Sequence, residues 1–468
     1  MNEQPAAREA ILNRLPPAWP DDPMPAIRAR VAASGRKVVV LDDDPTGTQT
    51  VHDLYVISEW TVDALSAELT AGRPCFYVLT NSRSVPLDAA RRINSEIGRN
   101  LAEAGRRTGV PFDVVSRSDS TLRGHYPGEV DALEQGLGTR ADVRLIIPFF
   151  EEGGRLTIDD VHYVTEGDVL IPAGLTAFAH DHSFGYRSSN LREWVAEKTR
   201  GGMAADEVAA VGLGDIRSGG PDRVAELLSA MPVGSVCVVN AACYRDMEVF
   251  VLGLLAAEEA SRRFLYRTAA SFAATRAGIR PRPPLGAGDF DLPDAGGLLF
   301  VVGSHVPKTT EQLEHLCAHA DVYRVEVNVE RLLGAHAEAE VSAAICAAGG
   351  LLADGDDVAL STSRELVSGA DAEDSLSIAS RVSAALVEIT RAVQDGARCI
   401  IAKGGITSSD VATHALGMKR AFVLGQILPG VPVWRMGEGS ARPGLTYVVF
   451  PGNVGGPEAL AEAAAKLT

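Results

Sequence analysis

Three adjacent carboxylates, Asp42, Asp43 and Asp44, follow the apolar run Val38–Leu41 and lead into Pro45, Thr46 and Gly47. Like charges side by side repel, so a sequence that stacks them has something to hold: a metal, a phosphate or a polyhydroxylated substrate. Two further clusters match this one in placement. The stretch "TNSRS" puts Arg83 just beyond the run "CFYVL". The stretch "SRSDSTLRGHYPGE" puts Asp119, Ser120, Thr121, Leu122, Arg123 and Gly124 beyond "FDVVS", with His125 beside them. Carboxylates accept hydrogen bonds from sugar hydroxyls, and a planar guanidinium matches a carboxylate bidentately. Together the clusters suit a small polyhydroxy acid. Singly, each has a bland explanation in a solvated turn, a surface arginine or a helix cap; their recurrence at three successive strand ends favours function.

The second half of the chain carries a different signature. "VVGSHVPKTTEQL" reads as a strand, a Gly303–Ser304 turn and a helix beginning near Thr309. "CIIAKGGITSSDV" repeats that logic with Gly404, Gly405, Ile406 and Thr407, and "LGQILPGVP" and "FPGNVGGPEAL" add turns at Gly430 and at Gly452–Asn453. Glycines let backbone approach a phosphate, and a helix N-terminus presents free N–H groups. No GxxxxGK[ST] pattern occurs, so this is not a P-loop protein, and a nucleotide site of another kind is expected. His180 and His182 flank Asp181 in "HDHSFGY". No third metal ligand is evident there, and a loop closing over substrate is the expectation; any metal ligand set is left unassigned.

These clusters need elements to position them. Short runs apolar at every position alternate with helical patterns: "KVVVL", "CFYVLT", "FDVVS", "VRLIIP" and "SVCVVN" first, then "LLFVV", "DVALS", "RCIIA" and "TYVVF". Such runs suit strands buried on both faces of parallel sheets covered by helices. Ala89, Ile93, Ile97 and Leu101 mark one helical stripe, and Leu313, Leu316 and Cys317 another. The reading is α/β: two domains, each with a mostly parallel sheet flanked by helices, and ligands beyond the carboxyl ends of the strands. The Pro- and Gly-dense stretch 276–297 reads as a linker. The domains are expected at 36–275 and 298–468, after a helical N-terminal arm over 1–35.

Composition narrows the partners. A formal net charge of −17 argues against nucleic acid or an anionic membrane surface. Six cysteines without a CxxC pair read as reduced, mostly buried thiols. The N-terminus lacks the unbroken apolar core of a signal peptide, and no apolar run reaches membrane-spanning length, so a cytoplasmic protein is expected.

The ordered set Asp43-Asp44-Pro45-Thr46-Gly47, Asp119-Ser120-Thr121-Leu122-Arg123-Gly124, Gly303-Ser304, Gly404-Gly405-Ile406-Thr407 and Gly452-Asn453 resembles the four-carbon acid sugar kinases, a family long catalogued as a domain of unknown function. The resemblance runs from about Lys37 to Gly456. It implies a first domain that holds threonate, erythronate or a 3-oxo-tetronate, a second that holds ATP with Mg²⁺, and an active site in the cleft between them. Carried over by position, Asp43, Asp44, Arg83, Asp119, Ser120, Thr121, Leu122 and Arg123 become substrate residues. Ser304, Gly404, Gly405, Ile406, Thr407, Gly430, Gly452 and Asn453 become ATP residues. Asp43 or Asp119 would take the hydroxyl proton, and Arg123 or Lys403 would neutralise the transferred group. Family members commonly carry Lys-Ser before the last Gly-Asn; here Phe450 and Pro451 stand there. A homodimer is compatible with the sequence. Two rivals are weighed beside this reading. Asp42-x-Asp44 also fits the nucleophile motif of haloacid-dehalogenase-like phosphatases, with Asp159–Asp160 as their later acidic pair. A sugar-acid sensor without turnover is the other.

Overall fold

A computed structural model describes residues 4–365, 367 and 372–467. The chain divides into two units, Met1–Gly47 with Glu59–Pro281, and Thr48–Ser58 with Arg282–Thr468. The second unit thus takes in a short segment that begins four residues after Asp44.

The first unit is built on seven parallel strands: β1 (Lys37–Asp42), β2 (Cys75–Leu79), β3 (Phe112–Arg117), β4 (Val143–Ile147), β5 (Ala209–Val211), β6 (Ser235–Val239) and β7 (Phe264–Thr268), ordered β5-β6-β4-β7-β3-β1-β2. Val38 to Leu41 are buried, as a strand covered on both faces requires. The chain leaves β1 for β2 on one side, then crosses back over β1 to β3 on the other. The carboxyl ends of β1 and β3 therefore form a switch point, where open α/β sheets bind ligands. At the opposite edge, a groove of about 1000 Å³ is rimmed by Arg30, Arg106, Arg140 and Arg262. Four helices end around it. Cations there complement the negative ends of helix dipoles, so this groove has a structural explanation.

A small antiparallel sheet inserts after β4. Its strands Arg155–Ile158, Val161–Glu166 and Val169–Pro172 pair in order, and Ala6–Ala7 of the N-terminal arm pairs with the last. Asp159 and Asp160 are the turn of its first hairpin, with φ 51° and 64°, the left-handed pair that a two-residue hairpin turn demands.

Helices Leu87–Thr108 and Gly128–Leu137 pack closely because each carries a glycine at the crossing. A Cβ on Gly98 would lie 2.8 Å from Leu133 O, and one on Gly136 only 2.3 Å from Ser95 O. That close crossing turns the buried face of the longer helix to Ala90, Asn94, Ile97, Leu101 and Ala104. Ala89 and Ile93, expected on the buried stripe, are only half-buried.

The second unit has strands β8 (Gly297–Val302), β9 (Val322–Val327), β10 (Asp357–Thr362), β11 (Ala397–Lys403), β12 (Arg420–Leu428), β13 (Val431–Met436) and β14 (Thr446–Phe450). They run β12-β13-β14-β11-β8-β10-β9, with Leu54–Ile57 beyond β12. From β14 to β9 the pairing is parallel; β12 and β13 are antiparallel additions. The apolar runs locate β8, β10, β11 and β14. They miss β9, whose edge position leaves Tyr323, Arg324 and Glu326 outside the core, and the β12–β13 hairpin, whose turn is Pro429–Gly430. The Pro-rich stretch is not bare chain: Leu285 joins the core around Phe300 and Ile427, and its N–H donates to Gln426 O at 2.7 Å. No helix among the described residues is long and apolar enough to cross a membrane.

Gly136→Ala is expected to destabilise the first unit by about 1–3 kcal/mol, because the new methyl meets backbone that cannot move aside. A thermal melt beside the parent protein checks this; an unchanged melting temperature would remove the close crossing as a constraint.

Candidate functional site

Strand register assembles the first cluster. Asp42 ends β1 directly opposite Arg117, the last residue of β3. Both are buried, and Arg117 Nη1 donates to Asp42 Oδ1 at 3.1 Å. Asp42 Oδ2 makes no hydrogen bond. Burial pushes the Asp42 carboxyl up to about 7, against the pull of Arg117 and with the repulsion of Asp43 and Asp44. Gly47 folds back onto this carboxylate so closely that a Cβ there would lie 2.1 Å from either oxygen.

Asp43 accepts from Ser118 Oγ at 2.8 Å. Its Oδ1 has no hydrogen-bond donor and stands 3.7 Å from Arg117 Nη1. Gly124, at φ 123°, keeps the neighbouring space clear: a Cβ would lie 2.7 Å from Ser118 Oγ and 3.5 Å from Asp43 Oδ2. Asp44 is fully committed. Its Oδ1 accepts from Thr46 N at 2.8 Å and from Thr46 Oγ1 at 2.5 Å, and its Oδ2 pairs with Arg83 Nη2. Burial would raise its pKa, but Arg83 and Thr46 outweigh that and hold it below the ordinary value.

Arg83 also reaches Asp119 Oδ1 at 3.2 Å, so one guanidinium bridges two strand ends. Asp119 Oδ2 accepts from Thr121 N at 3.2 Å, Thr121 Oγ1, and Arg123 Nε at 2.9 Å. Those partners override burial and hold Asp119 well below the usual carboxylate range. Ser120 and Thr121 are buried beside it, whereas Leu122 turns into the core in the left-handed region, φ 68°. Its role is to bend the backbone, not to offer a side chain to solvent.

Elements that the sequence did not single out hold this arrangement. His162 is buried; its Nε2 lies 2.8 Å from Ser120 O and its Nδ1 2.9 Å from Thr157 Oγ1. Burial drives it down to about 3, so the ring stays neutral. Buried Arg267 donates to Arg123 O at 3.0 Å and lies over the Trp194 ring. The "HDHSFGY" loop does meet the cluster, though not through its histidines. Asp181 Oδ2 lies 3.7 Å from Arg123 Nη1, Phe184 sits edge-on against His125, and Tyr186 OH donates to Thr121 O at 2.7 Å. His180 Nδ1 lies 3.0 Å from Thr176 O in its own turn, and His182 is exposed. His125 Nε2 lies 2.8 Å from Val85 O. One missed residue left a faint signal: Arg267 is a lone charge in the run "FLYRT".

In the second unit, β8 leads to β9 on one side and β10 crosses back to β11 on the other, so the ends of β8 and β11 are again a switch point. Ser304 follows β8 and Gly404–Thr407 follow β11. A Cβ on Gly303 would meet Thr407 Oγ1 at 2.4 Å, and one on Gly404 (φ 111°) would meet Ser304 Cβ at 3.0 Å. The loop after β14 joins them: Thr309 Oγ1 donates to Gly452 O at 3.3 Å and lies 3.4 Å from Ser304 Oγ. Gly405 is half-buried, and Ile406 is 56% exposed in a unit whose other apolar residues are mostly covered. Gly430 lies 3.4 Å from Val454 by the same measure, next to exposed Asn453, and is held by Gln426 and Gln49.

Lys403 is buried opposite Phe450. Its ammonium donates to Pro451 O at 2.5 Å and Gly452 O at 3.3 Å, and lies 4.3 Å from the Phe450 ring centre. No carboxylate among the described residues pairs with it; burial, with Lys308 adding, pulls it down to about 7. Arg364 donates to Ser304 O and to Thr310 Oγ1. Among the described residues no group of three or more His, Cys, Asp or Glu is arranged to hold a metal ion.

Asp42 gives a testable pH signature. Its folded pKa of about 7 stands above the ordinary 3.8, so the folded state holds the proton more tightly. The stability it contributes is complete below about pH 4 and is lost as pH rises through 7. Melts of the parent and Asp42→Asn between pH 4 and 8 should show the variant losing less stability with rising pH; parallel curves would refute the assignment.

Two family models match the chain: a sugar-binding N-terminal domain over residues 38–276 and a nucleotide-binding C-terminal domain over 299–460. A D-threonate kinase of Salmonella typhimurium is 26% identical over 417 residues, covering 85% of this chain and 90% of the relative. Two solved structures share the fold. One is a Haemophilus influenzae protein from the family catalogued as a domain of unknown function, with TM-score 0.61, 19% identity, and 92% of this chain and 100% of that one covered. The other is a Salmonella typhimurium protein solved under the heading of a tRNA synthase, with TM-score 0.66, 18% identity, and 91% and 98% covered. The ordered strand-end motifs and the two domain matches agree, and the chain belongs to the four-carbon acid sugar kinase family.

Proposed function

We propose that the protein transfers the γ-phosphoryl group of ATP to a hydroxyl of a four-carbon sugar acid of the threonate, erythronate or 3-oxo-tetronate type. The observation that carries this reading is the bridge of Arg83 between Asp44 and Asp119, at the strand end that also carries Asp43. Guanidinium groups engage the acid and carboxylates engage hydroxyls. The relative named as a D-threonate kinase supports the substrate class.

The sequence leaves the two carboxylates as equals, and their partners differ. Asp119 has both oxygens occupied by cations and hydroxyls and is held well below the carboxylate range, which makes it a poor proton acceptor. Asp43 is held more loosely, by Ser118 Oγ at 2.8 Å and by Arg117 at 3.7 Å, so we assign it the substrate hydroxyl proton. Asp119 then serves to orient Arg83 and Arg123.

In the second unit, Ser304, Gly404–Thr407 and Gly452 would hold the phosphates, with little side-chain bulk between backbone and ligand. Lys403, a buried cation with carbonyl partners only, would offset phosphate charge. Magnesium would come with the nucleotide, held chiefly by phosphate oxygens and water, and would neutralise phosphate charge. The rest of catalysis is positioning.

The phosphatase reading needs Asp42 as a nucleophile, yet Asp42 is fully buried, tied to Arg117 and covered by Gly47. Its supposed acidic pair is a hairpin turn, where Asp160 bonds Arg192 at 2.7 Å and Asn240 at 2.8 Å.

A coupled ADP-release assay with MgATP and a panel of threonates, erythronates and their 3-oxo forms tests the proposal, with mass spectrometry of the product. ADP matched by one added phosphoryl group is the expected result. Binding of an acid without ADP release would favour a sensor. With the active acid in hand, Asp43→Asn is expected to lower kcat by about 10²–10⁴-fold. Asp119→Asn is expected to act mainly on KM for the acid; the reverse pattern would move the base to Asp119.

A further inference from the structure

Glu129 is buried on the first turn of the helix Gly128–Leu137. An acid at that position is ordinarily a solvated partner of the helix dipole. This one points inward. Its Oε1 accepts from Ser82 Oγ and from Asn94 Nδ2 at 3.3 Å, and among the described residues no cation stands within ion-pair distance of it. A buried carboxyl with only neutral partners is costly, so its retention needs a reason.

Ser82 supplies one. It is buried at the start of the turn Ser82–Ser84, which Asn81 enters in the left-handed region at φ 49°. On one side that turn is pinned to the end of β1: Thr80 Oγ1 donates to Asp42 O at 2.9 Å, and Arg83 N donates to Asp43 O at 3.3 Å. On the other side Ser82 Oγ is anchored by Glu129. Arg83 is the next residue, and its guanidinium bridges Asp44 and Asp119.

We propose that Glu129, acting through Ser82, is a positioning residue that sets the aim of Arg83 and thereby the affinity for the acid group of the substrate. The inference rests on the proposed sugar-acid reading for its substrate, but its geometric content stands on Arg83 alone. Burial, reinforced by Asp43, also pushes the Glu129 carboxyl up to about 7, as is common among groups built into functional sites.

Three variants test it: Ser82→Ala, Glu129→Ala and Glu129→Gln, with thermal melts to establish that each folds. Ser82→Ala and Glu129→Ala are expected to raise KM for the acid about tenfold, with kcat and KM for ATP little changed. Glu129→Gln keeps the Oε1 acceptor and should restore most of the affinity. The double variant Ser82→Ala/Glu129→Ala should be no worse than the poorer single one, since both cut the same link. Additive losses, or a fall in kcat at unchanged KM, would overturn the proposal. Crystal structures of Ser82→Ala and the parent decide the geometry even if no acid in the panel is turned over. Arg83 leaving the Asp44–Asp119 pair supports the positioning role, and Arg83 unmoved refutes it. Failure of the parent to turn over any acid would instead count against the sugar-acid reading.

Discussion

Three neighbouring carboxylates that leave water together repel one another, and the first unit is organised around that repulsion. Arg117 meets Asp42 from below, along the strand register, and Arg83 meets Asp44 from the rim. Neither arginine is near in sequence to its partner, so the charge balance exists only once β1, β2 and β3 lie side by side. The opposing pKa directions follow from this. Asp44 and Asp119, with direct cation and hydroxyl partners, are held acidic, whereas Asp42, deeper and covered by Gly47, is raised toward neutrality. Breaking one partner of such a buried set costs more than the pair itself contributes, because the other charge is left stranded.

The two units place their candidate residues by the same topological device and fill it with different chemistry. In the first, the switch point is lined with ion pairs between arginines and aspartates. In the second, it is lined with backbone, hydroxyls and close-packed glycines, with one buried ammonium that has no counterion among the described residues. Gly303 and Gly404 are required there by proximity to Thr407 and Ser304, which packs two strand-end turns against each other. Lys403 stands in register with Phe450, so the neighbouring strand brings a cation against the Phe450–Gly452 loop.

Support for the Asp–Arg cluster comes from outside the strands that carry it. The inserted hairpin sheet brings His162 under Ser120, and the loop after it lays Phe184 and Tyr186 against His125 and Thr121. Its two histidines suggest metal chemistry by their spacing, but the contacts come from Asp181 and the aromatics. A loop's function is set by which face it turns to its neighbour, and spacing alone does not record that.

The sequence by itself determined the α/β class, the strands buried on both faces, and the strand-end clusters Asp42–Gly47, Asp119–Gly124, Gly303–Ser304 and Gly404–Thr407. These signals are local: apolar runs, breakers, and polar residues where a strand must stop. Edge strand β9, the β12–β13 hairpin and strand β7 escaped notice because polar side chains or short length hide a strand's period. Tertiary structure alone decided which charges meet. Arg117 with Asp42, Arg83 with Asp119, Glu129 with Ser82 and Lys403 with the Phe450–Gly452 loop are contacts across strands and helices. It also decided how tightly each carboxylate is held, since Asp43 and Asp119 are chemically alike as residues and differ only in what folding brings within reach.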